Sequence, residues 1–252
     1  MTSEKPSPPT FGHTIVPAGN HEGSATRTAR KDTMTHTAID PGTEFDRQVR
    51  NLVERDWPTT ARLTPEQFTA LVAPLRDLVT GIGHGAWAPD TGRVPFLLVV
   101  TREVVPIEHT MARTTLHGKT EPGFVDRSFE PGALERFVAV EETGLPDRRA
   151  YLLFDIERGE EFCGAVPNDA LGTIAARGRT PLTIEEGIAL ITHFPGILVK
   201  NKCFSLGGSR SGDRRVPAIW ISRHAPKLGW CWEGNPHTWL GMASAGSRRA
   251  AA

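Results

Sequence analysis

A chain of 252 residues, 38% hydrophobic and 23% charged, has room for one large domain or two small ones and the makeup of a soluble globular protein. Its 29 basic residues balance its 29 acidic ones, so no net field draws it to nucleic acid or to an anionic membrane surface. Three cysteines (Cys163, Cys203 and Cys231) are an odd set without a CxxC pair, which speaks against a disulfide framework and for reduced thiols. No apolar stretch of signal-peptide type follows the first basic residue. The longest apolar run, VPFLLVV from Val94 to Val100, is far too short to span a bilayer. The expectation is a cytoplasmic protein that takes neither nucleic acid nor membrane as a partner.

Residues 1–42 are rich in Ser, Thr, Pro, Gly and charge, with almost no apolar periodicity. Such a segment buries too little surface to offset its ordering entropy, so a disordered tail is expected ahead of a single domain over 43–252. Met34 is a candidate alternative start. In TEFDRQVRNLVERDW, Phe45, Val49, Leu52 and Val53 recur at helical spacing, with Thr43 and Asp46 expected to cap the first turn. The next start signal is stronger: in LTPEQFTALVAPL, Thr64 reads as N-cap, Pro65 as the first helical residue, and Gln67 as the far half of a capping box. Leu63 can staple to Phe68, and Pro74 should end or kink the helix. A glycine-punctuated loop, TGIGHGAWAPDTG, then leads to a buried strand at Val94 to Val100.

Further strands are expected at Arg136 to Glu142, where RFVAVEE alternates, and at Ala150 to Ile156, a continuous apolar run. Two helices follow. One lies in PNDALGTIAARG and is closed by Gly178. In the other, LTIEEGIALITHFPG, Thr183 caps with Glu186 at N3, and Ile184, Ile188 and Ile191 share a face. Val216 to Ser222 and Lys227 to Trp232 read as strands joined by a short turn. Helices and strands mix without a βαβ rhythm or an internal repeat. The fold class expected is therefore α+β, one domain with a mixed or antiparallel sheet and several packed helices.

Chemistry concentrates in the last third. KLGWCWEGNPHTWLG, Lys227 to Gly241, holds three of the six tryptophans. On a strand Leu228, Trp230 and Trp232 share one face, with Lys227, Gly229 and Cys231 on the other. The tryptophans serve as a stacking platform or as a wall of the core. Asn235 and His237 follow in a turn at the strand end, where a scaffold displays functional groups. Upstream, FSLGGSRSGDRRVPAIW combines glycines with Arg210, Arg214 and Arg215, whose guanidinium forks suit carboxylate or phosphate, or else form a solvated surface loop. Asp213 reads as the salt-bridge partner that orients them. GxxxxGK(S/T), GxGxxG and GxSxG are all absent. His193, Cys203, Cys231 and His237 match no common zinc spacing, so no metal is expected, and the cysteines sit in apolar contexts that favour inert thiols.

The stretches EFDRQVRNLVERDWP, GRVPFLLVVTREVVP, RTPLTIEEGIALITHFPGILVKNKCFSLGGSRSGDRRVPAIWIS and APKLGWCWEGNPHTWLG resemble a family of actinomycete proteins catalogued only as a domain of unknown function. The resemblance covers about residues 44–246. It implies a bacterial, cytoplasmic setting and one domain, and brings no reaction or cofactor with it. The residues themselves point to a small-molecule site for a planar or anionic metabolite. In it Arg210, Arg214 and Arg215 hold the anion, Trp230 and Trp232 stack, Asn235 orients, and His237 moves a proton if there is chemistry. The alternative is a non-catalytic interaction module with the same residues as interface anchors.

Overall fold

The computed structural model describes residues 40–80 and 92–251. All but three residues of the expected tail, the alternative start at Met34, and most of the glycine-punctuated loop lie outside the described residues. Helix α1 (Pro41–Glu54) begins two residues earlier than the sequence pattern suggests. Its cap is Asp40, whose carboxylate accepts from the Thr43 backbone N–H at 2.7 Å and from the Thr43 hydroxyl at 2.9 Å. Thr43 and Asp46 are therefore not the cap. Asp40-Pro41 supplies both an acceptor and a preset φ, the stronger combination. After the single turn α2 (Trp57–Thr60), helix α3 (Pro65–Val72) carries the expected box: Thr64 accepts from the Gln67 N–H at 3.2 Å and Gln67 from the Thr64 N–H at 2.9 Å. The α-helix ends at Val72, just before Pro74, as expected. Pro74 sits in the first turn of a 3-10 segment, Ala73–Leu78, where its missing N–H costs nothing.

Strand β1 (Arg93–Val100) is buried on both faces. Phe96, Leu98 and Val100 join the cluster built on α1 and α3, while Leu97 and Val99 face the larger core. Such a strand reads as a continuous apolar run rather than an alternating one. The chain continues through the short helix α4 (Ile107–Met111) and the strands β2 (Phe124–Val125) and β3 (Val138–Ala139). The strand expected over Arg136 to Glu142 is corrected to those two residues of β3, flanked by 3-10 turns at Leu134–Arg136 and Glu141–Thr143. Leu134 and Phe137 are the buried pair there and Val138 is 59% exposed, so burial follows a three-residue step that alternation misreads.

Strand β4 (Ala150–Glu157), helix α5 (Pro167–Ala176), strand β5 (Thr180–Pro181) and helix α6 (Ile184–His193) follow. Gly178 closes α5 at φ +68°, and Thr183 and Glu186 form the box that starts α6. Strands β6 (Cys203–Ser205), β7 (Ser209–Arg210), β8 (Arg215–Ser222), β9 (Ala225–Trp232), β10 (Leu240–Met242) and β11 (Ser244–Arg249) complete the molecule. One sheet, ordered β1-β4-β11-β5, is antiparallel throughout. A second, β10-β6-β8-β9-β2, is mixed, with β10 and β2 parallel to their neighbours. The β3–β7 pair stands apart. The fold is α+β with mixed and antiparallel sheets, and among the described residues no helix is long and apolar enough to cross a membrane.

A buried polar knot ties the first sheet to α6. Glu186 accepts from Arg248 Nε at 2.6 Å and Nη2 at 2.8 Å, and from the Tyr151 hydroxyl at 2.9 Å. Arg248 also donates to the carbonyls of Thr143 and Pro181. Burial, reinforced by the Glu186 charge, pushes the Tyr151 hydroxyl well above its ordinary pKa.

Candidate functional site

The β8–β9 hairpin sets the geometry of the C-terminal candidates. Its two-residue turn, Arg223-His224, has both residues at positive φ (51° and 62°), the twist that keeps the strands paired. The register sets Arg215 opposite Trp232, Pro217 opposite Trp230 and Ile219 opposite Leu228. Cross-strand partners share a face, so Arg215, Trp230 and Trp232 emerge on the same side, at the end remote from the turn. The two indoles meet edge to face at 4.9 Å between ring centroids. Arg215 lies between Phe137 and Trp230, its guanidinium carbon 5.2 and 5.6 Å from the two ring centroids. Trp232 is 46% exposed.

Arg210 and Arg214 gather at the same end through Glu233. Arg210 ion-pairs with Glu233 and donates to the Asp213 carbonyl at 3.3 Å, and Arg214 Nε reaches the other Glu233 oxygen at 3.3 Å. Asp213 accepts from Arg215 through side chain and backbone, at 2.8 and 2.9 Å. That contact, aided by Ser211, holds the Asp213 carboxyl at about 2. Arg210 lowers Glu233 in the same way. Three guanidiniums against two carboxylates leave the cluster one positive charge in excess, and Arg214, 73% exposed, is the freest of them. Trp230 Nε1 and Arg210 Nε, at this end, are among the buried donors without a hydrogen-bond partner. Such orphans are costly and uncommon in folded proteins.

Asn235 and His237 are placed elsewhere. Beyond Trp232 the loop carries the chain across the end of the sheet. The Asn235 N–H still bonds the Trp232 carbonyl at 3.0 Å, but the His237 ring packs on Trp239, 5.3 Å between centroids. Trp239 in turn meets Trp220, whose ring covers Gly229 on the opposite face of the hairpin. Asn235 and His237 line a cavity of about 10 Å³ with Ser205 and Met242, room for one water at most. The geometry therefore brings together the three arginines and two tryptophans, and sets Asn235 and His237 apart from them.

Sequence reasoning missed Glu233 and Phe137 as members of the cluster. Glu233 was legible as an acid at a strand end beside arginines, whereas Phe137 comes from a segment 73 residues before Arg210 and gave no signal. Burial raises the pKa of all three thiols, so none is poised as a thiolate. Among the described residues no group of three or more His, Cys, Asp or Glu side chains converges as a metal site. His193 is committed to the core, between the Leu98 carbonyl at 3.1 Å and Asn51 Nδ2 at 3.3 Å. A ligand-sized cavity lies instead beside α1 and α3, with a volume of about 720 Å³.

The fold and this cluster define an α+β protein with an arginine- and indole-lined hairpin end. The chain belongs to DUF5701, a family of unknown function whose model matches residues 51–251. No curated protein and no solved structure matches the chain.

Proposed function

We propose that this is a binding protein for a small planar or anionic metabolite, held at the open end of the β8–β9 hairpin. The observation that carries the reading is a half-exposed indole, Trp232, at the same end as an excess positive charge whose freest member is Arg214. Arg214 is the first charge the ligand meets, Trp232 offers a face for stacking, and Arg215 is already held by contacts to two rings. No proton transfer is assigned, because His237 sits on the far side of the sheet. In a titration of the full-length chain with aromatic carboxylates and nucleotides, at least one compound should quench tryptophan fluorescence saturably and raise the melting temperature. Both effects should disappear in Trp232→Ala and Arg214→Ala. The reading is overturned if no compound produces them, or if they survive both substitutions.

One observation favours a second reading, a protein-interaction module. Val138, opposite Arg210 in the β3–β7 pair, is 59% exposed, so the same end of the molecule shows aliphatic, indole and guanidinium groups together. A stable complex broken by Val138→Asp as well as by Trp232→Ala, with no small-molecule response, selects this reading over the first.

A further inference from the structure

The cavity beside α1 and α3 is independent of the hairpin cluster and has the size and lining of a ligand site. At about 720 Å³ it lies within the range of small-molecule pockets, about 300–1,000 Å³. Its floor is apolar, made by Phe45, Val49 and Val72, which belong to the buried cluster under the helices, with half-buried Val53 beside them. Between Pro65 and Glu66 at one end and Arg76 at the other, the facing turns of α3 and the 3-10 segment present the short side chains of Thr69, Ala70 and Ala73.

The charges at its rim are not equivalent. Asp46 and Arg76 neutralise each other through two bonds at 2.9 and 3.0 Å. Glu66 lies in the first turn of α3, and its charge is held by the Thr64 hydroxyl and its own backbone N–H. Arg50 is exposed, and among the described residues no hydrogen bond or ion pair engages it, although its charge helps to lower the pKa of Asp46. An apolar furrow with one uncommitted guanidinium at its edge is complementary to a molecule with a hydrocarbon body and a single anionic head.

We infer that the furrow between α1 and α3 binds an amphipathic carboxylate of fatty-acid type, its chain along Phe45, Val49 and Val53 and its head on Arg50. The probe is sodium dodecanoate, kept below its micelle concentration and titrated calorimetrically into the full-length chain. One-site saturable binding is expected. Arg50→Gln should weaken it by about tenfold or more, the effect of losing a charge-assisted contact. Ala70→Leu with Ala73→Leu, which fills the furrow from an exposed helix face, should abolish it without lowering the melting temperature. Dodecanol binding as tightly as dodecanoate, or dodecylamine binding more tightly, overturns the assignment of Arg50 as reader of the head. Absence of saturable dodecanoate binding, or binding unaffected by the leucines, overturns the site. Trp232→Ala should leave dodecanoate binding unchanged, so failure here and failure of the hairpin site are read separately.

Discussion

Arg248 and Arg214 carry the same guanidinium into opposite settings, the first 3% exposed and the second 73%. Around Arg248 four partners converge from three places along the chain: the Thr143 carbonyl, the adjacent Thr180 hydroxyl and Pro181 carbonyl, and the Glu186 carboxylate. Around Arg214 there is one long contact to a shared carboxylate. A desolvated charge has to be fully partnered to be tolerated, whereas a solvated one is free to wait for a ligand. The difference marks which cluster holds the fold together and which one is available for recognition.

The sharpest way to break the contrast is Arg248→Ala. It leaves the buried Glu186 carboxylate without its counter-charge and should cost about 3–5 kcal/mol in urea unfolding. A loss below about 1 kcal/mol would mean that the knot is solvated, like the hairpin cluster. Next comes acid. The Leu98 carbonyl requires a donor at His193 Nε2 and the Asn51 amide an acceptor at Nδ1, so the ring is neutral. Burial, with Arg47 nearby, depresses its pKa to about 3. The unfolded chain takes up that proton at about 6.5 and the folded chain only at about 3, so acid favours unfolding. This stability is complete above about pH 6.5 and falls by about 1.4 kcal/mol per pH unit as pH drops toward 3. His193→Gln should flatten that part of the stability–pH curve, and a curve of unchanged slope would refute the assignment.

Smaller effects sharpen the comparison. Thr64→Ala, at an exposed capping box, should cost about 1 kcal/mol, whereas Thr183→Ala should cost more because Glu186 belongs both to that box and to the knot. Equal losses by urea titration would show that the two are uncoupled. Arg214→Ala should change folding stability by about 0.5 kcal/mol or less. A loss of several kcal/mol would make that arginine structural and remove it from the proposed site.

What was legible in the sequence follows the range of each interaction. Both capping boxes and the β8–β9 pairing are local and were read from a few residues. Asp40 was missed as a cap because Thr43 and Asp46 offered an equally polar first turn, and only the start at Pro41 decides between them. The gathering of Arg215 with Trp230 and Trp232 follows from strand alternation and the hairpin register, whereas Arg210 and Arg214 join them through Glu233. His237 did not follow, since alternation ends at Trp232 and the next loop changes faces. The Arg248–Glu186 pair spans 62 residues and the α1–α3 furrow is lined by ordinary helix residues, so neither leaves a pattern that periodicity detects.

The place of β11 in the first sheet has a consequence for synthesis. It lies between β4 and β5, and β5 joins that sheet only through it. Until residues 244–249 have left the ribosome, β4 keeps an open edge and Glu186 lacks its guanidinium, so the growing chain carries a sticky, unneutralised seam. A nascent chain arrested before residue 244 is thus the form most in need of a chaperone.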